Sequence, residues 1–485
     1  MKAPNRCVGR PFGALLCTLL TACAVGPPYV PPATPEGAAR SFVSATPSSS
    51  SDQPLPTNWW RLYNDPVLDR LVTEALAENA DLKTAAANLE AAQAQLEQTR
   101  AGLFPSTEIS AGDSYGKAAS ANLPGGASTV AHWTSSAGFT AAYEVDLFGR
   151  IRRSIEAARA SSEAQADAEN VVRVAVAAET AGAYANVCAF AEQAAVARHS
   201  LAVVQQTYDT LVRERAAGAV SDLDLAREAT LVDQARAAVP TLDGQRRAAL
   251  FELAALLGRT PSRVPADAAA CTTTPRIAQP LPVGDGAALL RRRPDVREAD
   301  RQVAAATARI GVATANLYPT VSLNGAVNSV GGPGAALGSS RALSFSVGPL
   351  LTWSFPNILV ARAEVGQANA QTQAAIASFD STVLAALKET EQALTAYAGE
   401  LDRHAALAAA DDHAKQAFDL AHTQYNIGAI SFLDLLTAET SLVQADQQLA
   451  VSDQAVAADQ VAVFQALGGG WESAPAITPP PVPRG

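Results

Sequence analysis

The chain has 485 residues and a formal charge of −11, with 48% apolar and 17% charged residues. Three cations, Lys2, Arg6 and Arg10, fall in the first 22 residues, so the remainder carries a net charge near −14. That balance argues against nucleic acid or an anionic membrane surface as the main partner.

The N-terminus sets a basic start before the apolar run Phe12–Leu20 and the residues Thr21-Ala22-Cys23. This reads as a secretory signal peptide over 1–22, too short for a membrane-spanning helix. Leu20-Thr21-Ala22-Cys23 looks like a bacterial lipobox, in which Cys23 becomes the acylated first residue. Ala24 stands after it instead of Asp, which by resemblance favours retention in the outer membrane. Apart from that covalent lipid no cofactor is expected. Cys7 and Cys17 leave with the signal, and Cys188 and Cys271 remain as thiols. In an oxidising compartment these two can pair, and comparable helical heights make a bridge feasible, but two unpaired structural cysteines fit the sequence equally well. No apolar run after residue 22 is long enough for a transmembrane helix.

Residues 23–57, rich in Pro, Ser, Ala and Thr, read as a lipidated, extended tether without core-forming content. A first structural repeat over 58–270 begins at Asn58-Trp59-Trp60. Asp65-Pro66 then signals a helix start, and Leu68, Leu71, Val72, Ala75 and Leu76 follow at helical spacing. A second helix runs from about Asp81 to Leu103 and stops at Pro105. The period then changes to two. Trp133, Ser135, Ala137, Phe139, Ala141, Tyr143 and Val145 share one face, and Thr134, Ser136, Gly138, Thr140, Ala142 and Glu144 the other. Strands are expected over 106–115 and 133–145, joined by a long loop. Alanine-rich helices follow over 149–217 and 222–257, the first roughly 100 Å long at 1.5 Å per residue.

The programme repeats over 271–467. Leu289–Val296, containing Arg291-Arg292-Arg293-Pro294-Asp295, opens a helix to Leu317; the arginine run is expected to be structural, solvated or paired. Strands are expected over 320–329 and 342–353, and helices over 357–427 and 432–467. Residues 468–485 read as a disordered Pro-rich tail. The two long-helix turns match: Gly218-Ala219-Val220-Ser221-Asp222-Leu223-Asp224 returns as Gly428-Ala429-Ile430-Ser431-Phe432-Leu433-Asp434, offset by 210 residues. Gly218 and Gly428 suit the left-handed position that ends a helix. Ser221 and Ser431, three residues before Asp224 and Asp434, form S-x-x-D capping boxes.

Four strands of about ten residues, each apolar on one side, match outer-membrane strands in length and alternation. Four do not close a barrel, since small membrane barrels need about eight, and open edges are not tolerated in lipid. Several protomers must therefore share one barrel, and 8, 12 or 16 strands all satisfy a multiple of four.

The lipobox with Gly26-Pro27-Pro28-Tyr29, Trp59-Trp60 with Asp65-Pro66 and Leu68, Arg293-Pro294-Asp295-Val296, the turns Leu103-Phe104-Pro105 and Leu317-Tyr318-Pro319, and the doubled tips together resemble the outer-membrane efflux proteins. Within that TolC-like family the chain is most similar to the lipoprotein branch typified by OprM and the nodulation-T-type proteins. The resemblance implies a mainly α-helical homotrimer with a 12-stranded membrane β-barrel, a periplasmic α-helical barrel and a mixed equatorial domain. It implies the exit duct of a tripartite system that exports small molecules, docked tip-first on a periplasmic adaptor and an inner-membrane transporter. By the same resemblance, Asp434 matches an acidic position that narrows the periplasmic mouth in TolC, and Tyr425 and Asp224 match residues that help hold it closed. The chain departs from that pattern at Ile430, where TolC has an arginine, and at Thr437, where TolC has a second acid. Helix capping alone also accounts for Asp224 and Asp434. A type I secretion duct of the same fold, or a periplasmic helical scaffold without a pore, are the alternatives.

Catalysis and metal binding find no support. His404, His413 and His422 are nine apart, which turns the middle one away from the others and sets the outer pair about 27 Å apart. Gly112-x-x-x-Gly116-Lys117 is one residue short of a P-loop and ends in Ala118. The glycines at 331–334 lead into a strand, not a helix, so a dinucleotide fingerprint fails.

Overall fold

The structure, a computed structural model, describes residues 24–117, 130–332, 336–355 and 358–479. The signal peptide and Cys23 lie outside the described residues, as do most of the loop expected after the first strand and residues 480–485. The chain divides into two compact units.

In chain order the elements are β1 (Ser50–Ser51), α1 (Pro66–Glu78), α2 (Ala80–Arg100), β2 (Ser106–Gly116), β3 (His132–Val145), α3 (Arg150–Ala216) and α4 (Asp222–Leu256). There follow α5 (Ala266–Ala269), β4 (Leu281–Pro282), α6 (Gly286–Arg292), α7 (Pro294–Ala315), β5 (Thr320–Gly331), β6 (Leu343–Thr352), α8 (Ile358–Asn426) and α9 (Phe432–Ala466). One helix was expected across 289–317, but the chain breaks between α6 and α7 at Arg293, which takes extended geometry before Pro294, as a residue preceding proline prefers.

The unit built from 24–32, Glu90–Ala164 and Ala299–Phe379 holds an antiparallel sheet of order β2-β3-β5-β6. Its register aligns Ile109 with Phe139, Phe139 with Val327, and Val327 with Phe345. These four form one row across the sheet and are 83%, 44%, 45% and 80% exposed. Tyr143, Leu323 and Pro349 make a parallel row on the same face. The opposite face carries Ser110, Gly138, Asn328 and Ser344, and a Cβ at Gly138 would lie 2.5 Å from Asn328 Oδ1. One face is therefore apolar and unburied, and the other is small and polar. β2 and β6 each pair on one side only. At the second Leu-aromatic-Pro turn, Tyr318 stacks on Phe148 at 4.5 Å, whereas Phe104 of the first is exposed.

The N-terminal stretch is not the free tether expected. Val25 N–H donates to Phe148 O at 3.1 Å, and Arg153 donates to the carbonyls of Val25 and Gly26 at 3.0 and 3.1 Å. Tyr29 bonds Asp300 and lies under the Arg301 guanidinium. Main-chain hydrogen bonding, which composition does not reveal, ties this segment down.

The unit of Ala33–Leu89, Gln165–Glu298 and the chain from Asp380 onward contains the main core. Trp59 is fully buried and stacks on Phe464 at 4.6 Å, among Leu68, Leu71, Leu253 and Leu289. Asp65 caps α1 by accepting from Val67 and Leu68 N–H, and Tyr184 donates to its other oxygen at 2.8 Å. The rest of the expected tether joins this core through Phe42 and Leu55, and Glu391 accepts from the N–H groups of Val43 and Ser44. β1 and β4 form a short parallel pair. The tail is likewise anchored as far as it is described: Trp471 donates to Arg292 O and receives the Arg297 guanidinium on its ring, while Ala474 and Ile477 touch the core. Contrary to the expectation that no run after residue 22 suits a membrane, α3 contains an 18-residue window apolar enough by length and composition to cross one. However, 72% of that window is buried inside the protein, as in a core helix.

Candidate functional site: the paired hairpin tips

Helices α3 and α4 turn at one tip and α8 and α9 at the other, and the two turns are built alike. At the first, Gly218 has φ +78°, its N–H reaches Arg215 O at 3.0 Å, and Ala219 N–H reaches Glu214 O at 2.9 Å. At the second, Gly428 has φ +71°, and the corresponding bonds run from Gly428 to Tyr425 O and from Ala429 to Gln424 O. This is the paired closure that satisfies the last carbonyls of a helix. Each following helix starts with a reciprocal box. Ser221 Oγ accepts from Asp224 N–H at 3.2 Å, and Ser431 Oγ accepts from Asp434 N–H at 3.3 Å. The aspartates return the contact to the serine N–H groups.

The tips differ where they are clamped. In the first, Arg215 and Asp222 form an exposed ion pair at 2.5 and 3.0 Å, which holds the Asp222 carboxyl below the usual range. The positions 210 residues on are Tyr425 and Phe432, whose rings meet edge-on at 6.1 Å. The same two places thus carry a charged clamp in one copy and an aromatic clamp in the other. Tyr425 also reaches across to the other hairpin, donating its hydroxyl to Glu214 Oε2 at 2.6 Å. Burial, the Glu214 bond and charge, and the Asp224 charge push its phenol upward, so it stays protonated and donating. Leu211, Phe432 and Leu435 form the buried centre of the tip. Beside it a cavity of about 170 Å³ is lined by Gln206, Thr207, Thr210, Phe418, His422 and Tyr425.

Tyr425 and Asp224 are therefore neighbours, Asp224 half-buried beside Arg227 at 3.5 Å. Asp434 is exposed and engaged by its own capping box. Cys188 and Cys271 are joined by a disulfide with Cα atoms 5.1 Å apart, fastening the linker before β4 to α3. Arg292 and Arg293 donate to the carbonyls of Leu467 and Ala466 and so close the C-terminus of α9. Among the described residues no group of three or more acidic, His or Cys side chains forms a metal cluster.

One arrangement escaped the sequence reading. Stepping by seven along α8 gives Tyr397, His404, Asp411, Phe418 and Tyr425; stepping by seven along α9 gives Phe432, Glu439, Asp446, Asp453 and Gln460. The two series run antiparallel in register. Gln460 donates to Tyr397 at 3.1 Å, His404 meets Asp453 at 2.9 Å, Lys415 bridges Asp411 and Asp446, and Tyr425 meets Phe432. The signal was a heptad seam with polar occupants, hidden because the histidines drew attention to a spacing of nine.

Residues 71–259 and 287–469 match the sequence pattern of the family described as outer membrane efflux protein. The chain belongs to that family. The efflux protein is 30% identical over 470 residues to Nodulation protein T of Rhizobium leguminosarum bv. viciae, covering 96% of this chain and 94% of that one. It is 29% identical to the pyoverdine export outer membrane protein OpmQ of Pseudomonas aeruginosa, covering 94% and 96%. Its fold superposes on the outer-membrane channel OprN with a TM-score of 0.85 at 34% identity, over 93% of this chain and all of the other. The efflux protein is thus an outer-membrane channel, the exit duct of an efflux system, and its two-part repeat of strands and long helices is that of TolC-like channels.

Proposed function

We propose that three copies of this efflux channel close one 12-stranded barrel and conduct small molecules through it, gated at the hairpin tips. The observation that carries the reading is the four-stranded sheet with an exposed apolar face and two open edges. Lipid suits the face, but neither lipid nor water satisfies a bare edge inside a bilayer. Pairing β2 of one copy with β6 of the next removes every edge.

Cys23 carries the lipid that anchors the chain, and the tips meet a periplasmic adaptor and an inner-membrane transporter that supplies the drive. The protein itself catalyses nothing. Asp434, exposed beside the tip, lines the narrow mouth and favours cations there. Purified protein is tested by heat-modifiable migration and by conductance in planar bilayers. A heat-labile trimer that conducts supports the reading, whereas a monomer without conductance favours a scaffold. In a conducting protein, Asp434→Asn lowers cation selectivity; unchanged selectivity removes Asp434 from the mouth.

A further inference from the structure

Above the tips the two hairpins face each other through a pair of acids. Glu228 lies seven residues beyond Ser221 on α4, and Glu439 eight beyond Ser431 on α9, about 10–12 Å from the turns by helical rise. Both are 0% exposed. Glu439 accepts one hydrogen bond, from Thr207 Oγ1 of α3 at 3.0 Å. Among the described residues, its other oxygen and both oxygens of Glu228 have no hydrogen-bond partner. Within about a turn of Thr207, Glu228 and Glu439 along α3, α4 and α9, Val204, Leu231, Val232 and Val443 form an apolar cluster.

The nearby polar groups offer no counter-charge. On α3, Thr207 is neutral, and Glu214 is bonded to Tyr425 of α8. On α4, Arg227 turns to Asp224. On α9, Asp434 is engaged by Ser431, and on α8 His422 lies across the tip cavity that Thr207 also lines. Lys415 is held by Asp411 and Asp446 farther along the seam. Burial first, and the charge of Glu439 second, push the Glu228 carboxyl up to about 8. Burial pushes Glu439 up to about 7, against the Thr207 bond.

Two buried acids close enough to feel each other's charge, with three bare oxygens and no cation beside them among the described residues, are compatible with packing only while they hold protons. Because α4 belongs to one hairpin and α9 to the other, their contact is a contact between hairpins. We infer that Glu228 and Glu439 form a proton-dependent clasp, closed while both carboxyls are neutral and parted when both release their protons to water. Loss of the two protons leaves two like charges facing each other, and separation of α4 from α9 admits the water that solvates them. The same separation pulls Tyr425 from Glu214. Mildly acidic medium therefore favours the closed tip and alkaline medium the parted one.

The clasp is read from distances and does not depend on conduction, so its failure and the failure of the duct reading are separable. Spin labels at A217C and A429C, both exposed turn positions on opposite hairpins, report the separation in the full-length assembled protein from pH 6 to pH 9. The expected result is a shift to longer distances with a midpoint between about pH 7 and pH 8. The double variant E228Q/E439Q keeps the pH 6 distribution at pH 9. The single variant E228Q, which leaves one carboxyl, shows a shallower, one-proton response and decides the matter if the double variant does not assemble. Distances independent of pH in the parent protein, or a full response surviving in E228Q/E439Q, would overturn the clasp. Equally, a single variant as steep as the parent would overturn it.

Discussion

Removing the hydroxyl of Tyr425 isolates one interaction between the hairpins. Tyr425→Phe keeps the ring against Phe432 and loses only the bond to Glu214, 2.6 Å long in the structure. Hydrogen bonds to charged groups contribute about 1.5–3 kcal/mol. Both partners here are half-exposed, and solvent screening reduces the figure to about 1 kcal/mol. That is roughly fivefold in the balance between joined and parted tips for each copy. If three copies open together, the sum of about 3 kcal/mol becomes roughly 150-fold. Open probability in planar bilayers reads this directly. The phenol is pushed upward by burial, by its bond to Glu214 and by the nearby charges of Glu214 and Asp224, so it stays protonated between pH 6 and pH 8. The gain in Tyr425→Phe is expected in full at pH 6, where the acids of the clasp are neutral and the tips are joined, and is smaller at pH 8, where the tips are already largely parted. Glu214→Gln, which retains a neutral acceptor, gives a smaller gain. An open probability within twofold of the parent in Tyr425→Phe would refute the reasoning, because the bond would then contribute nothing to closure.

Two further changes address the scaffold that holds the tips. The disulfide between Cys188 and Cys271 spans 83 positions, for which the chain-entropy account gives about 4.5 kcal/mol. Reduction, or Cys271→Ser, is expected to lower the melting temperature and free the linker before β4 for limited proteolysis, with the secondary structure of α3 unchanged by circular dichroism. A Cβ at Gly286 would run into the carbonyl oxygens of Ala38 and Arg40, and Gly286 N–H is bonded to the latter. Gly286→Ala is therefore expected to detach the 33–57 segment, read as early cleavage there; a protease pattern like the parent's would show that the close approach is dispensable.

Different parts of the chain were legible to different degrees, for physical reasons. A strand with one face in lipid alternates, so Trp133–Val145 displays a mainly apolar face in the residue order itself, broken only by Ser135. A helix hairpin must satisfy its terminal N–H and carbonyl groups locally, so Gly218 and Ser221 return as Gly428 and Ser431. Segments held by main-chain contacts leave no such trace. Glu391 fastens Val43 and Ser44 through their N–H groups, and any residue except proline offers the same donor. Composition therefore reads 24–57 as loose although it is tied down. The tail is similar, with one aromatic residue, Trp471, supplying much of the grip that a proline-rich context conceals.

The seam between α8 and α9 was hidden differently. A helix seam is recognised by apolar residues repeating every seven, and here the repeat is kept while its occupants are His404, Asp411, Asp446, Asp453 and Gln460. Polar pairs in such a seam contribute less adhesion than leucines but fix register, because each must meet its own partner. Near the tip the pairing logic changes, since Glu439 meets no base and instead lies by the acid Glu228 of the other hairpin. Two hairpins built to the same turn thus differ in what they can withstand. The α8–α9 pair is keyed along its length by complementary partners and should move as one piece. Its contacts with the α3–α4 pair near the tip include the Tyr425–Glu214 bond, the Thr207–Glu439 bond and the apolar packing of Leu211 on Phe432 and Leu435. On the proposed reading, the tyrosine bond and the two acids are the contacts that proton release weakens as the hairpins part.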